Sequence, residues 1–240
     1  MKRLFHLITV TLLLLSGAVW LADRPYFRIS TVEITNEEGA DTFEYADKQQ
    51  VYRAMLPHLT GSFFRINVRN AKRAAEGTDW VASAKISRIP PATVKVVLRE
   101  NKPTARWIRE NETAGLINQH GGVFQAAFDG DLPAFDGELS ALPLMLEKYK
   151  TLSTHLQPLR LKIIRLQYSP RLSWTMTLDN GIEVRLGKED IHKRIALFAR
   201  MWPISLAVNE EKLDYVDMRY PDGFATSNRT DAPDTGRPNE

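Results

Sequence analysis

The hydrophobic positions of this chain fall into three rhythms. From residue 4 to residue 22 they are almost unbroken, and His6 is the one strongly polar side chain in a run of 19. At about 1.5 Å per residue, a helix of that length nearly crosses a hydrocarbon core of about 30 Å, so the run predicts a membrane-spanning anchor. Ser16-Gly17-Ala18 offers the small residues of a cleavage site, but apolar residues continue through Val19, Trp20 and Leu21 and outlast the core of about 7 to 15 residues usual in a signal peptide. Lys2 and Arg3 precede the run while Arg24 and Arg28 follow it, which leaves only a slight charge bias toward a cytoplasmic N-terminus.

The second rhythm mixes periods of two and of about four. Phe27-Arg28-Ile29-Ser30-Thr31-Val32-Glu33-Ile34-Thr35 is rich in β-branched residues and predicts a strand. Val51, Met55 and Leu59 recur at intervals of four behind Asp47, a helix with an N-cap, and Gly61 closes it. Asn67 opens a second helix carrying Val68, Ala71, Ala74 and Ala75, with Gly77 at its end. Residues 80–88 and 93–100 read as two strands joined by a Pro90-Pro91 turn. The predicted order over residues 26–100 is β-α-α-β-β.

The third rhythm, over residues 101–227, is mostly the period of two. Residues 105–109, 115–118 and 123–125 form short strand patterns, and Leu142, Leu146, Tyr149, Leu152 and Leu156 then mark one stripe of a helix. Strands follow at 162–168, 171–178 and 182–186. Asn180-Gly181 between the last two predicts a type I′ hairpin, which needs two residues that tolerate positive φ. Asp190 is placed to cap a helix through Ile195, Phe198 and Met201 that Pro203 ends. Residues 213–220 alternate apolar and polar and form the last predicted strand, before Pro221-Asp222-Gly223 turns the chain. Residues 228–240 carry Ala232 as their one apolar side chain and predict a disordered tail.

Composition narrows the function more than it widens it. Hydrophobic residues at 43% and charged residues at 25% are those of a folded chain. The 32 basic and 29 acidic residues are interspersed, so the clustered basic stripe of a nucleic-acid binder is missing. Without cysteine there is no disulfide framework, thiol nucleophile or Cys-based zinc site. His6, His58, His120, His155 and His192 show no H-E-x-x-H spacing, and no phosphate-cradling glycine motif or G-x-S-x-G elbow occurs. Glu100, Asp136 and Asp217 are the carboxylates to watch for pairing in space. No enzyme activity, cofactor or metal is expected.

Specific words in the chain carry a family likeness. They run in order from Asp79-Trp80-Val81-Ala82-Ser83-Ala84-Lys85-Ile86-Ser87-Arg88 to Val97-Leu98-Arg99-Glu100-Asn101-Lys102-Pro103-Thr104-Ala105-Arg106-Trp107. Leu116-Ile117-Asn118-Gln119-His120-Gly121-Gly122-Val123-Phe124 and Leu132-Pro133-Ala134-Phe135-Asp136-Gly137 come next. Arg171-Leu172-Ser173-Trp174, Leu178-Asp179-Asn180-Gly181 and Val216-Asp217-Met218-Arg219-Tyr220-Pro221-Asp222-Gly223-Phe224-Ala225 complete the series. In that order they resemble the FtsQ family of bacterial cell division proteins, called DivIB in some bacteria.

The resemblance implies an α+β chain: an N-terminal transmembrane helix (residues 1–25 with its stub), a POTRA domain (26–100), and a mostly antiparallel β domain with flanking helices (101–227) ahead of the tail. It implies a non-enzymatic divisome scaffold in the bacterial inner membrane, with its C-terminal domains periplasmic and concentrated at the septum. Its implied partners are FtsB and FtsL, which bind by adding a strand beside the last β-domain strand, together with division proteins such as FtsK, FtsW and FtsI. Tyr220 matches the family's partner-contacting tyrosine, with Met218, Arg219, Asp222, Gly223 and Phe224 beside it. Arg171 lies in the family's arginine-rich strand, although many relatives have two adjacent arginines where this chain has Arg171-Leu172. A rival reading, a POTRA-bearing protein-transport or outer-membrane assembly component, predicts a following transmembrane barrel, and no run of alternating segments follows Ala225. A third, an anchored wall hydrolase, predicts a convergent set of titratable residues.

Overall fold

The computed structural model describes His6 and residues 8–13, 16, 17, 20, 24–110, 112–221 and 223–229. Two compact units divide the chain at Lys102 and Pro103. Much of the predicted anchor lies outside the described residues; those that are described there are helical and exposed. Among the described residues no helix is long and apolar enough to cross a membrane. Of the tail predicted at residues 228–240, Asn228 instead closes a strand and Arg229 is hydrogen-bonded, because a neighbouring strand pairs there, and residues 230–240 lie outside the described residues.

In the first unit, β1 (Thr31–Asn36) is followed by α1 (Lys48–Leu59), α2 (Val68–Glu76), β2 (Val81–Ile89) and β3 (Thr93–Glu100). The sheet order is β1-β3-β2, with β1 parallel and β2 antiparallel to β3. Alternation in β3 turns Val94, Val96 and Leu98 inward, where they meet Val51, Met55 and Leu59 of α1 and Ala71 and Ala75 of α2. Both predicted caps form: the Asp47 carboxylate accepts from the Gln49 amide at 2.8 Å, and Asn67 accepts from the Asn70 amide at 3.0 Å.

The second unit is a nine-stranded sheet with two helices, α3 (Leu142–Leu156) and α4 (Ile191–Met201). Its strands are β4 (Pro103–Arg109), β5 (Glu112–Asn118), β6 (Val123–Phe124), β7 (Ala134–Asp136), β8 (Ile163–Tyr168), β9 (Trp174–Leu178), β10 (Glu183–Gly187), β11 (Leu213–Asp217) and β12 (Ala225–Asn228). In space they run β12-β11-β10-β9-β8-β7-β4-β5-β6. The pairs β10/β11, β4/β7 and β7/β8 are parallel and the other five antiparallel. Leu142, Met145, Leu152 and Leu156 of α3 and Ile195 and Phe198 of α4 pack with Phe135, Leu166, Met176 and Val184 of the sheet. Trp107 and Trp174 belong to this core; the Trp107 indole donates to the Gly137 carbonyl at 2.9 Å.

Three local expectations need correction. Asn180-Gly181 does not form a type I′ turn, because only Gly181 has positive φ, at +85°. The Gly181 amide donates to the Leu178 carbonyl and the Leu178 amide to the Ile182 carbonyl, which is a turn with Gly181 in the left-handed bulge position. Asp190 does not cap α4: its own φ is +53° and its carboxylate makes no capping bond. Pro203, by contrast, ends α4 as expected: the α-helix stops at Met201, and without an N–H to continue the ladder the chain passes into a wider turn, Trp202–Leu206. Arg171 is not in a strand, because β9 begins at Trp174 and residues 169–173 close a tight turn in which the Leu172 amide donates to the Ser169 carbonyl.

Candidate partner-binding edge

The strand expected to be the open edge is an inner one. β11 pairs in parallel with β10 on one side and antiparallel with β12 on the other. Its predicted extent to Tyr220 also shortens, because pairing stops at Asp217. The outer edge is β12, a strand of Ala225, Thr226, Ser227 and Asn228 that residue pattern did not reveal. The opposite edge, β6, offers only two residues. Among the described residues, no strand lies along the outer side of β12, which runs for about 13 Å of backbone.

The path from β11 into β12 is held by charge. Asp217 is 5% exposed and accepts from the Arg219 amide at 3.0 Å and from the Arg219 guanidinium at 2.9, 3.0 and 2.5 Å. These bonds from Arg219 hold the Asp217 carboxyl below the usual carboxylate range, against the opposing effect of burial. The Met218 amide donates to the Arg185 carbonyl at 2.9 Å. Arg185 in turn stacks 3.8 Å over the Tyr215 ring and bonds Glu183 at 2.6 Å. From α4, the Arg194 guanidinium reaches the Leu186 and Arg219 carbonyls. At the far end of β12, Arg229 is tied twice: its amide donates to the Lys212 carbonyl and its guanidinium to the Asn180 carbonyl.

The predicted contact residues separate on this frame. Tyr220 is 56% exposed in the connection that leads to β12. Arg219 is exposed, but its guanidinium is committed to Asp217. Met218 is fully buried in the sheet-domain core, so its side chain presents nothing to a partner. Gly223 is half-buried, and Phe224 packs its ring partly against the core and leads directly into β12. Asp222 lies outside the described residues. Arg171 is exposed in the β8/β9 turn, and strand directions put that turn at the same end of the sheet as Tyr220. From β9 to β11 is two strand spacings, about 10 Å.

The three carboxylates singled out for chemistry have other partners. Glu100 accepts from the amides of Glu44, Tyr45 and Ala46 at 3.1, 2.8 and 2.7 Å. Asp136 pairs with Arg165 at 2.6 Å and Gln167 at 3.1 Å, and Asp217 pairs with Arg219. Each is an anchor for backbone or a neighbouring strand. β12 itself was missed because its residues are small and polar; the signal that could have found it is a four-residue run placed directly after a Pro-Asp-Gly turn and opposite a strong strand.

A β-α-α-β-β unit followed by a large sheet whose C-terminal edge is open is the architecture of a POTRA-bearing protein. Residues 27–101 match the family model of the FtsQ-type POTRA domain, and residues 105–219 match that of the C-terminal region of the cell division protein FtsQ/DivIB. The chain is 34% identical to the cell division protein FtsQ of Neisseria gonorrhoeae over 96% of its own length and 93% of the relative's. It is 34% identical to that of Neisseria meningitidis, over 96% of each. With FtsQ of Bordetella pertussis the identity is 32%, over 91% of this chain and 86% of that one. The chain belongs to the FtsQ/DivIB family of cell division proteins. The second model match ends at Arg219, so Tyr220 and β12 lie beyond it.

Proposed function

We propose that this protein is a non-enzymatic scaffold of the division septum that holds the FtsB–FtsL pair by accepting a partner strand along the outer edge of β12. An extended segment adds main-chain hydrogen bonds to an unpaired edge, and the flanking side chains select it. Tyr220 is the side-chain anchor, its ring exposed in the connection to β12, Arg171 provides positive charge at the same end of the sheet, and Arg219, paired with Asp217, holds the connection in place. Residues 4–22 anchor the chain in the inner membrane with both folded units outside the cytoplasm. The POTRA unit meets other division proteins, with FtsK, FtsW and FtsI as the expected ones, and together these contacts regulate septal wall synthesis.

The observation that carries the reading is the position of β12 as the terminal strand of the sheet, four residues long and with no strand on its outer side among the described residues. The test is titration of the full chain, held in lipid nanodiscs, with a C-terminal FtsB peptide. Tyr220→Ala is expected to weaken binding about thirtyfold, the loss of an interface anchor worth about 2 kcal/mol. Unaltered affinity removes Tyr220 from the site.

A further inference from the structure

The POTRA unit carries a second surface that this function leaves unused. Where the chain enters the unit, Tyr26 is 69% exposed and Phe64 53% exposed, although both are large rings. They are joined through Phe27: Tyr26 packs edge-on against it at 5.1 Å and Phe64 lies 5.3 Å from it, with Phe63 beyond at 5.3 Å. The arrangement is fixed by backbone. The Phe63 amide donates to the Phe27 carbonyl at 2.7 Å, and Arg28 bridges Ser62. Ordered exposed rings of this kind leave apolar area in contact with water unless something covers them.

Charge accompanies the rings. Beside them opens a groove of about 660 Å³ between β1 and α1, lined by Arg28, Tyr52, Leu56 and Arg65 among others, and none of its lining residues is acidic. Arg24 lies 3.4 Å over the exposed Trp20 ring, at the end of the apolar stretch. The covalent chain then limits the distance. Phe27 is five residue steps beyond Ala22, at most about 18 Å of extended chain, while the headgroup layer outside a hydrocarbon core is about 5 to 8 Å deep. Aromatic rings with a polar or partly wet edge, interleaved with arginine, are the side chains that settle at a membrane–water interface.

We propose that Tyr26, Phe64, Arg28 and Arg65 seat this end of the POTRA unit in the headgroup layer of the anchoring bilayer, with a preference for anionic lipid. The occupant of the face is a lipid surface, and the groove takes headgroup phosphates against its two arginines. This inference rests on the reading of residues 4–22 as a membrane anchor. The seat fixes the height and tilt of the POTRA unit above the membrane, and so sets which of its faces is open to neighbours.

The test is amide hydrogen exchange on the full chain in nanodiscs of phosphatidylcholine alone and of phosphatidylcholine with phosphatidylglycerol. Amides in residues 26–32 and 60–66 are expected to exchange about tenfold more slowly in the anionic discs, since each arginine near an anionic surface adds several-fold. Arg28→Glu with Arg65→Glu, both exposed positions, is expected to abolish the lipid difference while leaving the exchange of β3 unchanged. Tyr26→Ser with Phe64→Ser is expected to raise exchange in both discs. Equal exchange in the two discs, unmoved by either pair of substitutions, overturns the proposal. Protection of this face only after a division protein is added overturns it too, by assigning the face to protein. Extraction by alkaline carbonate separates the premises: a chain washed off the membrane fails as an anchored protein, whereas a retained chain without lipid-dependent protection fails only here.

Discussion

β11 and β12 are neighbours of nearly equal length with opposite chemistry. β11 puts Leu213 and Val216 into the core, at 3% and 0% exposure, and buries Asp217 behind them. β12 buries no side chain: Ala225 and Ser227 are half-covered, and Thr226 and Asn228 are exposed. One strand is held by what its side chains bury; the other is held by its backbone pairing and the Arg229 ties at its end. A strong alternating pattern therefore marks a strand whose edges are already taken, and the strand left open for a partner is the one with the weakest pattern. An edge rich in apolar residues would pair indiscriminately, so small polar residues suit an edge kept for a chosen partner.

Substitutions can widen or erase that contrast. Met218→Ala, just past β11, is expected to cost about 2 to 5 kcal/mol, because it empties a fully buried site in the core. Urea denaturation measures it, and a loss under 1 kcal/mol would mean that the β11 end is not built on packing.

Asp217→Asn comes next. It removes the charge from bonds worth about 1.5 to 3 kcal/mol and loosens the path into β12. The sign of its pH dependence follows from the lowered pKa. A carboxyl held below its unfolded value near 3.9 contributes stability that is fully present above that pH and is lost as pH falls through the folded value. The wild-type chain should therefore lose stability on acidification below about pH 4 more steeply than Asp217→Asn. Parallel pH profiles would show that the Arg219 bonds contribute nothing.

Smaller effects belong to the exposed side chains. Tyr220→Ala should leave stability within about 0.5 kcal/mol of wild type while FtsB binding falls, a split that a packing role would not produce. Arg171→Ala is expected to weaken the same binding by no more than about threefold, the usual worth of an exposed ion pair. A much larger loss would place Arg171 inside the interface.

The fold was legible where side chains do the holding. The four-residue spacing of Val51, Met55 and Leu59, the caps at Asp47 and Asn67, and the strands at 80–88 and 93–100 all rest on burial or local hydrogen bonding, which residue type reports directly. What escaped was set by neighbours distant in sequence. β7, three residues long, exists because β4 and β8 flank it in parallel, and no local pattern announces that. β12 exists because β11 offers an edge. Asp190 looked like a cap, but Arg194 and the Gly187 bend set the chain's course there and left its carboxylate to Lys193. In the candidate site, Tyr220 was found by resemblance and Asp217 was noticed for the wrong chemistry, since its role as a clamp depends on Arg219 curling back two residues.

The central claim is that a foreign strand lies along β12. Amide exchange at residues 225–228, followed with and without the C-terminal FtsB peptide, addresses it directly, because alternate amides of an edge strand point outward. The account predicts that the peptide slows the outward-pointing amides of β12 and leaves those of β11 as they were. Unchanged exchange throughout β12, with new protection at β6 or elsewhere in the sheet domain, would contradict it.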